Sequence, residues 1–526
     1  MQEPDGYINS YYSIVEPSKR WSNLRDKHEL YCIGHLIEAA VAHYKATGKK
    51  SLLDIMCRCA DYVDSCFGTE PGKKRGYCGH QEIELALVKL YHTTGNERYL
   101  KLSKYFIDER GQQPQYFDQE AIERGEDPKD FWAKTHEYSQ SHVPVREQDH
   151  VVGHAVRALY MYSAMADLAG EYNDGLLLKT CEKLWDNVCL KNMYITGGIG
   201  PSSANEGFTF DYDLPNESAY AETCASIAMV MWNHRLLQLD CDGRFADIME
   251  RCLYNGVLSG VSLDGKKFFY VNPLASLGKH ERQDWFGCAC CPPNVARTLA
   301  SLGQYIYSES DTDAVIHLYV QGKGNLNVGG KQVTLSQITE YPWDGVVTIG
   351  VHLGQSATFG LMLRIPSWCK EAKIQVNGEP FDINGKIEKG YVRIEREWKS
   401  GDQVRLDLPM PVERVNANPK VRQDLGSVAL QRGPVVFCLE EVDNSAPIFN
   451  IALPKDAALA AILKRDLLDG VVVITGDAVA VDESDWSDTL YRTEPPKMKP
   501  TKITAIPYYS WANRKIGQMN VWIREV

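Results

Sequence analysis

The chain has 526 residues, 44% of them hydrophobic and 24% charged, which is too long for one domain and ordinary for a globular protein. Its net charge of −12 comes with no Lys/Arg-rich block, which argues against nucleic acid, whose phosphates need a basic face. No apolar run reaches the ~18 residues of a membrane span, and Met1-Gln2-Glu3-Pro4-Asp5-Gly6 does not read as a signal peptide. A neutral or small polar ligand suits such a surface. The 15 cysteines are an odd number and cannot all pair. Cys57, Cys59, Cys66, Cys181, Cys189 and Cys252 fall in helical segments, where a free thiol packs as a small core residue. That usage predicts a reducing, cytoplasmic compartment. Cys369 and Cys438 fall in strand-like runs and read as inert core thiols.

In chain order, the first 310 residues repeat a helical hairpin. Gly34-His35 opens a helical segment that ends at Thr47-Gly48, and a second helix runs from Leu52 to Cys66. Gly79-His80 opens the next, ending at Thr94-Gly95, with Tyr99 to Phe106 after it. Gly153-His154 opens a third, ending at Ala169-Gly170, with Leu176 to Val188 following. Glu217 to Leu239 and Phe245 to Leu253 continue the scheme without the Gly-His pair. The glycine that closes each first helix is a C-cap candidate. Paired helices repeating at this size predict an α/α toroid. The three histidines stand at equivalent positions near the starts of first helices, so they are expected to converge on one pocket. For any one of them, a capping or packing role is the simpler reading.

Between these hairpins and the second half lies Gly287-Cys288-Ala289-Cys290-Cys291-Pro292-Pro293-Asn294, followed by a helix-like segment from Val295 to Tyr307. Thiolates are soft ligands that suit zinc. Glu222-Thr223-Cys224 offers a carboxylate and a further thiol, so Glu222, Cys224, Cys290 and Cys291 form a candidate zinc site. A local disulfide or ordinary buried thiols are the competing readings.

After residue 310 the pattern changes to short β-branched runs separated by Gly, Asn and Pro. Val347-Ile349-Val351, Ala357-Phe359-Leu361-Leu363-Ile365 and Val404-Leu406-Leu408 alternate with period two. Asn377-Gly378 and Asn384-Gly385 are turn signals. A seam near Pro409-Met410-Pro411 gives domains at 1–310, 311–410 and 411–526, the last two as β-sandwiches.

Several long motifs carry a resemblance. They are Trp21-Ser22-Asn23-Leu24-Arg25-Asp26-Lys27-His28-Glu29-Leu30-Tyr31 with Gly34-His35-Leu36-Ile37-Glu38-Ala39-Ala40, Gly197-Gly198-Ile199-Gly200, Glu222-Thr223-Cys224-Ala225, Tyr270-Val271-Asn272-Pro273-Leu274 and the Cys-Cys-Pro-Pro-Asn run. Pro507-Tyr508-Tyr509-Ser510-Trp511-Ala512-Asn513-Arg514 extends it to the end. Together these resemble glycoside hydrolase family 127, bacterial β-L-arabinofuranosidases, over nearly the whole chain. The resemblance implies a multidomain α plus β fold, an (α/α)6 barrel followed by two β-sandwich domains. It also implies a barrel incomplete at the N-terminus, because family members carry further residues before Asp5-Gly6-Tyr7.

The resemblance further implies a Zn2+ ion held by Glu222, Cys224, Cys290 and Cys291, with Cys290 as nucleophile. It implies Glu206, sixteen positions before Glu222, as acid/base. Taken alone, Glu206 reads as a solvated loop glutamate, and Glu217 and Asp211 are equal candidates. His80, His142, His154 and Tyr270 are implied as sugar contacts. The implied activity is a retaining exo-glycoside hydrolase that releases terminal β-L-arabinofuranose from a small carbohydrate. A retaining glycosidase needs an acid and a nucleophile on opposite faces of the sugar. Zinc supplies the ionised sulfur that a free thiol at neutral pH lacks. The alternatives are hydrolysis of another furanose or branched pectic sugar, or a non-catalytic sugar-binding protein with structural zinc. The sandwiches offer surface for a homodimer, which no motif selects.

Overall fold

The computed structural model describes residues 2–484, 486 and 488–526. Two compact units divide the chain: Met1–Asn192 with Ser202–Asp211, and Met193–Pro201 with Tyr212–Val526. Among the described residues no helix is long and apolar enough to cross a membrane. None of the fifteen cysteines forms a disulfide.

The first unit is helical. Its helices are α1 (Ser10–Ile14), α2 (Glu29–Thr47), α3 (Ser51–Cys66), α4 (Ile83–Thr94), α5 (Glu97–Glu109), α6 (Tyr116–Glu123), α7 (Ala155–Glu171) and α8 (Gly175–Lys191). The pairs α2–α3, α4–α5 and α7–α8 are the expected hairpins. Gly48 and Gly95 close α2 and α4 in the left-handed region, at φ 70° and 73°, where glycine alone escapes a Cβ penalty. Gly170 does not do this, because α7 continues through it to Glu171. One apolar cluster, with Ile33, Ile37, Met56, Val63, Leu87, Leu90 and Phe106 at its heart, packs α2 to α5 together.

The second unit holds α9 (Thr223–Leu239), α10 (Gly243–Arg251), α11 (Cys291–Ala300) and the described strands. Helix α9 starts six residues later than its apolar pattern suggests. The backbone before it is already committed elsewhere: Tyr220 N–H donates to Pro201 O at 3.2 Å and Ala221 N–H to Gly200 O at 2.9 Å. Asn272 completes the lock by donating from Nδ2 to Ala221 O at 2.9 Å.

Residues 307–408 build two sheets around one core. The five-stranded sheet runs Ile387–Glu388, Tyr391–Trp398, Ala357–Arg364, Asp313–Ile316, Tyr307–Glu309, and the facing sheet has six strands. Val347, Ile349, Val351, Leu361, Leu363, Val404 and Leu406, the alternating residues of the sequence pattern, point into the shared core. Asn377-Gly378 forms the hairpin turn between Lys373–Val376 and Glu379–Phe381, with both residues at positive φ.

Beyond residue 411 the strands join a single ten-stranded sheet rather than two separate ones. That sheet also recruits Ala275–Leu277, which pairs with Gln518–Asn520. One face buries Leu430, Phe437, Leu439, Ile474, Ala505 and Ile523. The other packs Val436, Cys438, Ile506 and Trp511 against Tyr194, Phe269 and Leu274.

A buried ionic knot ties the sandwich at 307–408 to α10. Arg364, fully buried, reaches Asp247 Oδ1 at 2.5 Å and Glu250 Oε1 at 2.6 Å. Tyr341 and Trp368 also donate to the Glu250 carboxylate, at 2.5 and 3.2 Å. Removing one member of a buried pair strands the other charge. Arg364→Ala is therefore expected to cost about 3–5 kcal/mol, read as a lowered midpoint in denaturant unfolding. An unchanged midpoint would show that the knot is dispensable.

Candidate metal centre and imidazole cluster

The sulfur site lies at the starts of two helices. Glu222 is the N-cap of α9, and its side chain makes no bond to that helix's own N–H groups. Cys224 follows in the first turn. Cys290 is the N-cap of α11 and Cys291 its first residue, and the two prolines after them fit a first turn, where N–H groups have no helical partner. The segment carrying Tyr270 is pinned against α9 by Thr223 N–H donating to Tyr270 O at 3.0 Å. Thr223 Oγ1 also donates to Phe269 O at 2.8 Å.

This framework gathers four ligand atoms. Cys224 Sγ lies 3.5 Å from Cys291 Sγ, which lies 3.8 Å from Cys290 Sγ. Glu222 Oε1 is 3.4 Å from Cys290 Sγ and 3.7 Å from Cys291 Sγ. All four ligand atoms fall within 4.8 Å of one another. A tetrahedral zinc with Zn–S bonds of about 2.3 Å needs S···S edges of about 3.8 Å. The two S···S distances of 3.5 and 3.8 Å lie close to that, so the donor set fits such an ion. Glu222, Cys224 and Cys291 are buried, while Cys290 is partly exposed. Cys288 is exposed and stands outside the four-atom group.

Hydrogen bonds from Cys224 and Cys291, then Tyr270, hold the Cys290 thiol well below its usual range. Burial pushes Cys224 and Cys291 up. The Tyr270 hydroxyl lies 3.1 Å from Cys290 Sγ, within hydrogen-bond reach. Burial and the neighbouring Glu222 and Cys290 charges hold that phenol protonated. The two helix N-termini add positive potential at the sulfurs.

The other candidate residues belong to the helical unit, where three histidines do converge but not from equivalent positions. His35 lies inside α2, which opens earlier, at Glu29. His80 lies three residues before α4. His154 caps α7. His80 is the hub, with ring centroids 5.4 Å from His154, 5.8 Å from His28 and 4.4 Å from Tyr31. Tyr31 in turn packs on His35 at 4.4 Å. His28 was not among the sequence candidates because it lacks the preceding glycine, although it falls inside the Trp21–Tyr31 motif. His142 is not part of this group: it makes no ring contact with His80 or His154 among the described residues. Burial lowers its pKa, and the nearby charged groups are Glu137, His150, Asp149 and His136.

Hydrogen bonding assigns the tautomers. His154 Nδ1 accepts from Val156 N–H at 3.2 Å, so its proton is on Nε2, which faces Glu206 Oε2 at 3.4 Å. His80 Nδ1 is 2.9 Å from Gln81 O and must donate, which leaves Nε2 an acceptor. Burial, then the Arg157 charge, pushes His28 down to about 4 and His80 well below the usual range. Neutral imidazoles that offer one donor and one acceptor suit sugar hydroxyls.

Glu206 sits at φ 50°, an uncommon left-handed position for a residue with a Cβ. Its carbonyl accepts from Ala155 N–H at 3.0 Å, and Phe208 N–H donates to Gly153 O at 2.9 Å. Gly207 makes this possible: a Cβ there would stand 1.8 Å from Gly153 O. The rival carboxylates are placed otherwise. Asp211 is held by Asn187 at 3.0 Å, Asn192 at 3.1 Å and Lys191 at 2.8 Å. Glu217 is exposed.

Comparisons with known proteins agree along the whole chain. The sequence model of the β-L-arabinofuranosidase GH127 catalytic domain matches residues 1–304. The GH127 middle domain matches 313–410, and the family 127 C-terminal domain matches 412–524. A non-reducing end β-L-arabinofuranosidase of Bifidobacterium longum subsp. longum is 40% identical over 99% of this chain and 83% of its own. The crystal structure of a GH127 β-L-arabinofuranosidase from Geobacillus stearothermophilus T6 superposes with a TM-score of 0.98 at 56% identity, covering 100% of this chain and 84% of that one. A further GH127 β-arabinofuranosidase structure gives 0.90 at 41%, covering 100% and 82%. With catalytic, middle and C-terminal models in series from residue 1 to residue 524, the chain belongs to glycoside hydrolase family 127 and is a glycoside hydrolase.

Proposed function

We propose that the protein releases terminal β-L-arabinofuranose with retention, using Cys290 as nucleophile and Glu206 as acid/base. The observation that carries this reading is the packing of Cys290 Sγ among Glu222 Oε1, Cys291 Sγ and the Tyr270 hydroxyl, with its thiol pKa held low. Glu222, Cys224, Cys290 and Cys291 would hold zinc, which would keep the sulfurs ionised and oriented. The paired helices belong, in this reading, to an (α/α)6 barrel.

In the first step the Cys290 sulfur forms a bond to the anomeric carbon while the bond to the leaving oxygen breaks. Glu206 delivers its proton to that oxygen. In the second step water attacks the same carbon, the carbon–sulfur bond breaks, and Glu206 takes the water proton. Two inversions give net retention. His154 Nε2–H steadies the Glu206 carboxylate, His80 and His28 bind sugar hydroxyls, and Tyr270 stabilises the thiolate as it leaves.

The direct test is a panel of p-nitrophenyl pentosides, with β-L-arabinofuranoside expected to be cleaved fastest. Faster cleavage of another furanoside would move the substrate assignment and leave the chemistry in place. Metal analysis is expected to give about one zinc per chain, as a single four-ligand site requires. Chelator treatment should lower thermal stability together with activity. A metal-free protein that is fully active would exclude the zinc reading.

A further inference from the structure

Beside Glu206 the helical unit contains a cavity of about 330 Å³ that no step above uses. Ala204, Asn205, Phe208 and Thr209, which flank Glu206 in its loop, form one wall. Trp132, Glu137, Tyr138, Val152 and Gly153 form the other. The cavity borders the acid's own support. The Tyr138 ring lies 5.8 Å from the His154 ring, and His154 faces Glu206. Beneath Tyr138, the buried Arg157 guanidinium sits 4.4 Å from the ring centroid and donates to Gly79 O at 2.7 Å, which fixes that wall.

Three features indicate what the cavity would take. Trp132 is 57% exposed, yet its ring is held edge-on against Tyr138 with centroids 4.6 Å apart. A large aromatic face kept ordered at a cavity mouth is a platform for the C–H face of a sugar. Asn205 donates from Nδ2 to Phe208 O at 2.9 Å, while its buried Oδ1 has no hydrogen-bond partner and is open to a hydroxyl. The lining contains one carboxylate, Glu137, and neither Lys nor Arg. It therefore suits a neutral sugar and not a uronic acid. The volume is at the small end for ligand sites, about one or two rings.

We propose that this cavity is the leaving-group subsite and that it binds a neutral sugar attached to the released arabinofuranose, with Trp132 stacking on its ring and Asn205 and Glu137 contacting its hydroxyls. The proposal rests on Glu206 being the acid, since the group that receives its proton must lie beside it. It also gives the loop's tight anchoring to Gly153 a purpose: one loop carries the acid and one wall of the subsite.

The test compares kcat/KM for a β-L-arabinofuranosyl-arabinose disaccharide with kcat/KM for methyl β-L-arabinofuranoside. In Trp132→Ala the disaccharide-to-methyl ratio is expected to fall about tenfold, the loss of one good contact in the transition state. A ratio within twofold of wild type overturns the proposal. A second measurement is independent of turnover. Disaccharide binding is titrated by calorimetry in Glu206→Ala and in Glu206→Ala/Trp132→Ala, and Kd is expected to weaken about tenfold in the double variant. Equal affinity, or no binding to Glu206→Ala, overturns the subsite. If wild type cleaves neither glycoside yet the two affinities differ as expected, the arabinofuranosidase reading fails and the sugar subsite stands.

Discussion

Cys290→Ser is expected to lower kcat/KM on β-L-arabinofuranosides by about 10⁴-fold or more, as loss of a covalent nucleophile does elsewhere. A serine hydroxyl occupies nearly the same space, but at neutral pH it is not ionised and is a far weaker nucleophile. The fold should hold, because Cys290 is the partly exposed member of the cluster and contributes little to the core. Glu222, Cys224 and Cys291 remain to hold metal, so zinc content measured on the same sample should stay near wild type. Cys291→Ser is the control. Cys291 is wholly buried and contacts both other sulfurs, so its loss should reduce zinc content and thermal stability as well as activity. If the two variants lose activity and metal to the same degree, Cys290 is only a ligand. If Cys290→Ser keeps substantial turnover, the nucleophile is another group.

Glu206→Gln is expected to cost about 10²–10⁴-fold on methyl β-L-arabinofuranoside, the usual range for one general acid. The amide keeps the size of the side chain and can still meet His154, but it has no proton to give. The size of the loss should depend on the leaving group. A p-nitrophenolate departs with little protonation, so its release should fall far less than that of methanol. Slowed breakdown of the glycosyl-enzyme should then appear as a burst of p-nitrophenol. Equal losses on both glycosides, with no burst, would remove Glu206 from proton transfer and leave it a structural role. The strained φ of Glu206 fits a residue placed for chemistry, since its neighbours hold it there through Ala155 N–H and the Gly153–Phe208 bond.

Much of the architecture was legible in the sequence because local physics writes it there. Helix α3 was expected over 52–66 and spans Ser51–Cys66. The strand expected at 357–365 is Ala357–Arg364. In both, an apolar period and a turn signal agree. The errors fall where backbone groups are satisfied over long range. Helix α9 starts late because Tyr220 and Ala221 bond to residues 200 and 201. Gly170 does not cap α7 because the helix runs on to Glu171. The strands after residue 411 join one sheet with Ala275–Leu277, a pairing that no local pattern could announce.

The same division runs through the site. Composition and spacing offered Glu222, Cys224, Cys290 and Cys291 as a candidate zinc site, beside a local disulfide or plain buried thiols, because three thiols in four positions and a Glu-x-Cys pair are chemically conspicuous at any distance. The sequence also marked His35, His80 and His154 through their shared Gly-His pair. It could not reveal that they reach one cluster from the interior of a helix, from a loop and from a cap. Nor could it show that His28, which lacks the Gly-His pair, belongs beside them. Which nitrogen carries each proton, which loop carboxylate is pinned by Asn187, Lys191 and Asn192, and which is held near an imidazole were left to tertiary structure. The carboxylate choices depend on partners far along the chain and the tautomers on the local backbone conformation at Gln81 and Val156, and a linear pattern contains no record of either.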